Sequence, residues 1–587
     1  MPTDNPIHLT IDGVETTAPR GATIMEAADA IGMNIPRLCH HPHLSLLGAC
    51  RVCLVEVEGL RNPVASCAYP AEDGMKIRTS STLLRRLRRD VVELILDNHP
   101  QDCQTCGRNG NCELQKLAYE LGIRDRLFQG ERKRYKKDVS APSVIRDQEK
   151  CILCGRCVRV CAEVQGVHNL SQHHRGFNIT VAPAHEGNMM NSVCVHCGQC
   201  AMVCPTAAIV EHDHTDEVFN ALSDPAKHVV VQTAPSIRAA IGEGFGYEPG
   251  TPATGKMVSA LRMMGFERIF DTNFGADLTI VEEAHEFLKR LEKNEKLPLI
   301  TSCSPGWVNF MEHFYPELIP YASTCRSPMT MLSVLLKTYY AEMNGLDPKN
   351  IYVVGVMPCT AKKYEARRPE HQAPFGAPYT DAVLTTRELI WMMKCLGIEF
   401  RHLPDSDFDH PLGLSSGAGD IFGTTGGVME AALRTAYEKL TGKPCEKLDF
   451  EQVRGVEGFK ESQVRIDGKT LTVAVTNGLQ HAKTVLDQVV RGEKTYHMIE
   501  IMACPGGCIG GGGQPYPPPG MHIMDAGLLR MRAKALYTID AQKALRKSHE
   551  NPYIRRLYNE YLGEPNGPRA HELLHTRYEP KYPRGVR

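Results

Sequence analysis

Cysteine carries most of the chemical potential of this chain, because its thiolate is at once a nucleophile, a redox group and a soft metal ligand. There are 22 cysteines in 587 residues, and their spacing is patterned. A disulfide framework is the wrong reading, since such frameworks belong to short secreted chains with a leader. This chain opens MPTDNPIHLTIDG, with no basic-then-apolar leader, and passes into an alternating pattern with Ile7, Leu9 and Ile11 on one face. A cytoplasmic location with reduced thiols is expected. The net charge of −1 provides no global field toward nucleic acid or anionic lipid. Residues 188–210 lack Asp, Glu, Lys and Arg over a length that can span a bilayer, but they hold four cysteines among Asn, Ser, Gln, His and Pro. They read as a metal-binding loop and short helix, so no membrane insertion is expected.

The most regular runs are CILCGRCVRVC, with Cys151, Cys154, Cys157 and Cys161, and CVHCGQCAMVC, with Cys194, Cys197, Cys200 and Cys204. Each is C-x2-C-x2-C-x3-C, the two-cluster ferredoxin pattern in which the fourth cysteine of one run ligates the other cluster. Cluster one is thus expected on Cys151, Cys154, Cys157 and Cys204, and cluster two on Cys194, Cys197, Cys200 and Cys161. Upstream, Cys39, Cys50, Cys53 and Cys67 are spaced C-x10-C-x2-C-x13-C. They fit a ferredoxin-like 2Fe-2S site, although CxxC alone also suits zinc or a redox dithiol. His99, Cys103, Cys106 and Cys112, spaced H-x3-C-x2-C-x5-C, suit either zinc or a 4Fe-4S cluster; the neighbouring ferredoxin runs favour the cluster.

These ligands need elements to position them. A strand pair about Gly13, a helical run over residues 23–31 and strand runs near residues 52–57 and 75–77 predict a small mixed α/β module around the first set. Residues 83–96 read as a helix whose Arg85, Arg86, Arg88 and Arg89 form a solvated basic face. From about residue 226 onward, apolar strand-like runs alternate with amphipathic helices, as in parallel α/β architecture. Three of those runs end in cysteine: LPLITSC at Cys303, IYVVGVMPC at Cys359 and YHMIEIMACPGGC at Cys504 and Cys508. Sites in open parallel sheets form beyond the carboxyl ends of strands, so these thiols are expected to converge on a fifth site. The IGGGG after Cys508 is expected to let backbone approach something bulky. GTPATGKM (residues 250–257) mimics a phosphate loop but has Met257 where a hydroxyl would hold magnesium. Cys325, Cys395 and Cys445 lack ligand partners and are expected to be buried free thiols.

TSCSPGW (residues 301–307), MPCTAKKYE (residues 357–365) and EIMACPGGCIGGGGQP (residues 500–515) resemble the iron-only (FeFe) hydrogenases, and the likeness extends over nearly the whole chain. The resemblance implies a hydrogenase active on dihydrogen at an H-cluster, a 4Fe-4S cubane joined through a cysteine sulfur to a two-iron unit with CO, cyanide and azadithiolate. It implies that Cys359 and Cys504 ligate the cubane, that Cys508 bridges it to the two-iron unit, that Lys362 donates to a cyanide with help from Pro235 and Ser236, and that Met357 and Met502 pack around the diiron site. Many members have two adjacent cysteines where this chain has Cys303 and Ser304, the first a proton relay and the second a cubane ligand. Serine is a poor iron ligand beside thiolate, so either Ser304 binds as an alkoxide or Cys303 is the fourth ligand.

Glu283, Glu286 and Arg290 form one helical stripe, read from pattern alone either as a surface ion-pair ladder or as a proton path. The resemblance implies the path, running from Cys303 through Glu283, Ser323, Glu286 and Arg290 to solvent. It also implies a multidomain α+β and α/β chain. A ferredoxin-like 2Fe-2S domain (1–80) is followed by a small helical domain (81–138) with a 4Fe-4S cluster on one histidine and three cysteines. A two-cluster ferredoxin domain (139–215) and a large two-lobed α/β H-cluster domain (225–587) complete it. No dinucleotide fingerprint is evident, so nicotinamide chemistry belongs to another subunit. TSCSPGW and the chain length are similar to catalytic subunits of NAD(P)-linked hydrogenases, with electron bifurcation left open. Expected partners are ferredoxin, a flavoprotein NAD(P)-binding subunit with small iron-sulfur subunits, and the H-cluster maturases. The rivals are an electron-transfer subunit like the large iron-sulfur subunit of complex I, and a sensory hydrogenase.

Overall fold

The computed structural model describes residues 6–128, 130–466 and 468–581. The first module is built on a five-stranded sheet. Ile7–Ile11 pairs antiparallel with Val14–Ala18 about Gly13 (φ +83°) and parallel with Lys76–Arg78, which leads on to Leu54–Val57 and Val64–Ala65. Helix Ile24–Ala30 starts at a capping box in which Thr23 and Glu26 satisfy each other's backbone amides. The next helix, Thr82–Asp97, is capped by the Ser81 hydroxyl. Its basic face is not wholly solvated: Arg88 is buried and donates to the carbonyls of Leu54 and Thr79, tying this helix to the first sheet.

The two cysteine-rich runs form compact loops with short helices Arg156–Arg159 and Gln199–Met202, each entered through a left-handed glycine, Gly155 or Gly198. Beyond them lie two lobes. One has a wholly parallel sheet ordered Arg268–Asp271, His228–Thr233, Ile351–Met357, Ala382–Thr385. The other is ordered Leu299–Ile300, Met498–Met502, Lys469–Asn477, Phe459–Ile466, parallel except for its last pair. Each of these sheets has an apolar core on both faces, which accounts for the unbroken Val and Ile runs of the strands. Helix Thr272–Lys293 runs between the lobes, capped at its start by Asp271 and closed by Asn294 in the left-handed region. Among the described residues, no helix is long and apolar enough to cross a membrane.

Candidate active site and its electron and proton routes

Three strands from the two facing sheets stop at the same place. Leu299–Ile300 leads into Cys303 and Ser304, Ile351–Met357 into Cys359, and Met498–Met502 into Cys504 and Cys508. All five side chains line one cavity, together with Pro235, Met357, Lys362 and Met502. Ser236 does not line it; its buried hydroxyl lacks a hydrogen-bond partner just behind Pro235. The expected convergence is therefore present, but it occurs between two sheets and not at the edge of one.

Burial dominates the electrostatics of the cavity. It pushes the Cys303 thiol well above its usual range, with Glu283 and Cys508 adding to the effect and Lys362 opposing it. The Cys508 thiol is pushed up to about 12, and those of Cys359 and Cys504 are raised as well. Such thiols ionise only against a nearby cation, which is what an iron cluster supplies to its ligands. The Lys362 ammonium donates to the Cys303 carbonyl at 3.3 Å and pairs with Glu365 at 2.6 Å. The Ser304 hydroxyl accepts from the Ala503 amide at 3.2 Å, on the side of Cys504. Thiols from separate strands, a lysine ammonium and an otherwise apolar wall suit a sulfur-ligated iron group with polar diatomic ligands.

Behind Cys303 lies the acidic stripe. Glu283 is fully buried and neither carboxyl oxygen completes a hydrogen bond, which rules out a surface ion-pair ladder. Burial pushes its carboxyl up to about 8; the Ser323 hydroxyl and Ser302 amide oppose this, and the Glu286 charge adds to it. Ser323 donates to Glu286 at 3.1 Å, and Glu286 pairs with Arg290 at 2.6 Å. Arg290 also caps the carbonyls of Tyr321 and Ala322.

The accessory cysteines fall into separate groups. One small cavity is lined by Cys151, Cys154, Cys157 and Cys204, and another by Cys161, Cys194, Cys197 and Cys200, the crosswise sorting expected from the spacing. In the first module the thiol of Cys39 meets those of Cys50 and Cys67, and Cys53 meets Cys67. His99 is buried with Nδ1 unpartnered, Cys112 lies close to Cys106, and Cys103 is exposed at the edge of this group. An imidazole nitrogen buried without a partner suits a metal ligand. Of the three unassigned cysteines, Cys325 and Cys445 are buried as expected, whereas Cys395 is exposed at the end of helix Thr386–Cys395, where its side chain faces solvent.

The glycine run after Cys508 brings backbone close on two sides. Gly511 lines the main cavity, and the run also packs on protein backbone: a Cβ on Gly512 would lie 2.2 Å from the Cys197 carbonyl, and one on Gly511 2.2 Å from that of Pro358. At the same seam Thr360 donates to the His196 carbonyl at 2.7 Å, and Gln199 to that of Gly510 at 2.9 Å. Cys197 consequently lines the main cavity as well as its own. Sequence reasoning missed Gln199, Thr360 and Gly512; the surplus of glycines was the one available signal. The phosphate-loop mimic is structural, its Lys256 capping the carbonyls of Arg401 and Leu403.

Comparison with known proteins fixes the family. Residues 227–512 match the iron only hydrogenase large subunit, C-terminal domain. The chain is 51% identical over 584 residues to the NADP-reducing hydrogenase subunit HndD of Solidesulfovibrio fructosivorans, with 97% of this chain and 98% of that protein covered. The chain belongs to the FeFe hydrogenases. It is also 41% identical over 573 residues to iron hydrogenase 1 of Clostridium pasteurianum, covering 97% of this chain and 99% of that one. A solved FeFe hydrogenase from Chlamydomonas reinhardtii, 44% identical, superposes with a TM-score of 0.56 over 63% of this chain and 99% of its own.

This FeFe hydrogenase is an oxidoreductase acting on hydrogen, with 2Fe-2S, 4Fe-4S and H-cluster cofactors. Residues 4–82 match a 2Fe-2S iron-sulfur cluster binding domain, 150–208 a 4Fe-4S dicluster domain and 526–581 the iron hydrogenase small subunit. Residues 88–126 match the NADH-ubiquinone oxidoreductase-G iron-sulfur binding region. The segment that carries His99 and its three cysteines is thus similar to an iron-sulfur binding region of complex I.

Proposed function

We propose the following division of labour within the hydrogenase. Cys359, Cys504 and Cys508 would hold the H-cluster, Cys508 as the ligand shared by its two parts, and Lys362, Pro235, Ser236, Met357 and Met502 would surround the diiron unit. When bound, that cluster supplies the redox chemistry that interconverts dihydrogen with two protons and two electrons. Cys303 moves the proton. The observation that carries this reading is that four cysteines from three strand ends share one cavity, while Cys303 faces Glu283 and Ser304 faces the Ala503 amide beside Cys504. Glu283, protonated at neutral pH, accepts and releases the proton in turn; Ser323 and Glu286 pass it on, and Arg290 holds Glu286 in place while remaining charged itself. Ser304 would then offer the fourth cubane position an alcohol.

Replacing each by alanine tests this. Cys303→Ala should abolish turnover at full iron content, and Ser304→Ala should alter the cubane spectrum; iron loss on Cys303→Ala would instead make Cys303 the ligand. Infrared bands of CO and cyanide on the matured protein report whether the diiron unit is seated.

We assign the remaining iron to Cys39, Cys50, Cys53 and Cys67 (2Fe-2S), to His99, Cys103, Cys106 and Cys112 (4Fe-4S), and crosswise to the two ferredoxin runs, in modules 1–80, 81–138, 139–215 and 225–587. Residues 1–5, 129, 467 and 582–587 of these modules lie outside the described residues. The name of the HndD relative, a subunit of an NADP-reducing hydrogenase, supports partner subunits that reduce NADP, and the reading makes these a flavoprotein NAD(P)-binding subunit and small iron-sulfur subunits. Ferredoxin is the second electron partner, maturases insert the diiron unit, and the enzyme works in the cytoplasm.

A further inference from the structure

Arg159 lies between Cys157 and Cys161 at the end of helix Arg156–Arg159, and its side chain is buried. Its guanidinium is used entirely on backbone carbonyls from two modules. Nε donates to Gly155 at 3.3 Å and Nη1 to Ser45, while Nη2 donates both to Cys39 at 2.6 Å and to Cys154 at 3.2 Å. One nitrogen thus joins the carbonyl of a 2Fe-2S ligand to that of a ligand of ferredoxin cluster one, on the ligand assignment proposed above. Among the described residues, no carboxylate pairs with Arg159. Glu163, in the turn Val160–Val164 that follows this helix, is engaged by the amide and hydroxyl of Ser45, which holds the same two loops together.

An unpaired buried cation is costly, by several kcal/mol, unless other negative charge offsets it. Here the offset is at hand. A cluster held by four thiolates is net negative, and Arg159 stands between two of them. We propose that Arg159 is the coupling residue between the 2Fe-2S centre and ferredoxin cluster one: its charge raises the potential of both, and its Nη2 provides the hydrogen-bonded link across which one electron passes from the first to the second, with no proton moved. It is a positioning residue, acting through the Cys39 and Cys154 carbonyls.

The test uses the full-length, fully metallated enzyme carrying Arg159→Met or Arg159→Lys, with iron counted, each midpoint potential followed by electron paramagnetic resonance, and electron equilibration between the two centres timed by freeze-quench. Arg159→Met should lower both midpoints by about 59 mV, a tenfold change in a one-electron equilibrium, and slow equilibration roughly tenfold, equivalent to about 1.4 kcal/mol. Arg159→Lys, which keeps the charge but cannot span both carbonyls, should restore the potentials and not the rate. Unchanged midpoints and rate in Arg159→Met at full iron content would overturn the proposal. So would loss of the 2Fe-2S signal from both variants, which would make Arg159 a clamp only. If Cys39→Ala leaves the 2Fe-2S signal of the otherwise native enzyme intact, it is the ligand assignment beneath the proposal that fails.

Discussion

At the scale of single residues, the site depends on groups whose ionisation is set by burial. Glu283 is the clearest. Its unfolded counterpart loses its proton near 4.5, whereas the folded carboxyl keeps it to about 8. Between those values the folded state binds the extra proton, so the contribution of Glu283 to stability is present in full below 4.5 and is lost as pH rises toward 8. Glu283→Gln has no proton to lose. Its denaturation midpoint should therefore gain on the wild type as pH is raised through that window; parallel curves would contradict the burial argument. The same substitution should lower hydrogen turnover by at least about 100-fold, the scale of a lost proton-transfer group, with iron content unchanged. Turnover close to wild type would remove Glu283 from the path.

At the scale of elements, the cavity exists because short turns follow three strands and nothing longer intervenes. Gly512 belongs to this scale, since its Cβ would collide with the Cys197 carbonyl. Gly512→Ala should destabilise the chain by about 1–3 kcal/mol and slow reduction of the catalytic lobe from cluster two, read by denaturant titration and by rapid-freeze spectroscopy. Equal stability and rate would show that the loop has room. The elements also separate what the sequence made legible from what it hid. Ligand spacing is local, so the crosswise sorting of Cys161 and Cys204 and the strand-end thiols could be read directly. The packing of Arg88 and of Gly512 was hidden for the same reason. Their partners, Leu54 and Cys197, lie far away in sequence, and one-dimensional pattern cannot distinguish a residue facing solvent or cofactor from one facing another module. Spacing alone does not say which way the turn presents Cys303 and Ser304; the Ala503 amide bonded to Ser304 and the influence of Glu283 on Cys303 support the assignment proposed above.

At the scale of the whole molecule, the chain is a row of electron carriers ending at one catalytic cavity, with the segment 526–581 wrapped on as part of the same chain. Helix Ala526–Gln542 secures it: buried Arg532 pairs with Glu243 at 2.7 Å and donates to the Ile509 carbonyl, next to Cys508. An affinity-tagged chain isolated from its native cell should bring down a flavin-containing partner able to reduce NAD(P); a fully active single chain with no flavin protein would favour ferredoxin alone.

The seam of His196 and Gly198 against Thr360 and Gly512 has a practical consequence for protein engineering. Gly198, at φ +73°, leaves no space for a side chain, its Cβ position being 2.4 Å from the Thr360 hydroxyl. Exchanging the ferredoxin runs between hydrogenases is therefore constrained like a jigsaw joint. A chimera that imports the Cys194–Cys204 loop without the matching glycine run would arrive with its carriers intact and its last junction unable to close.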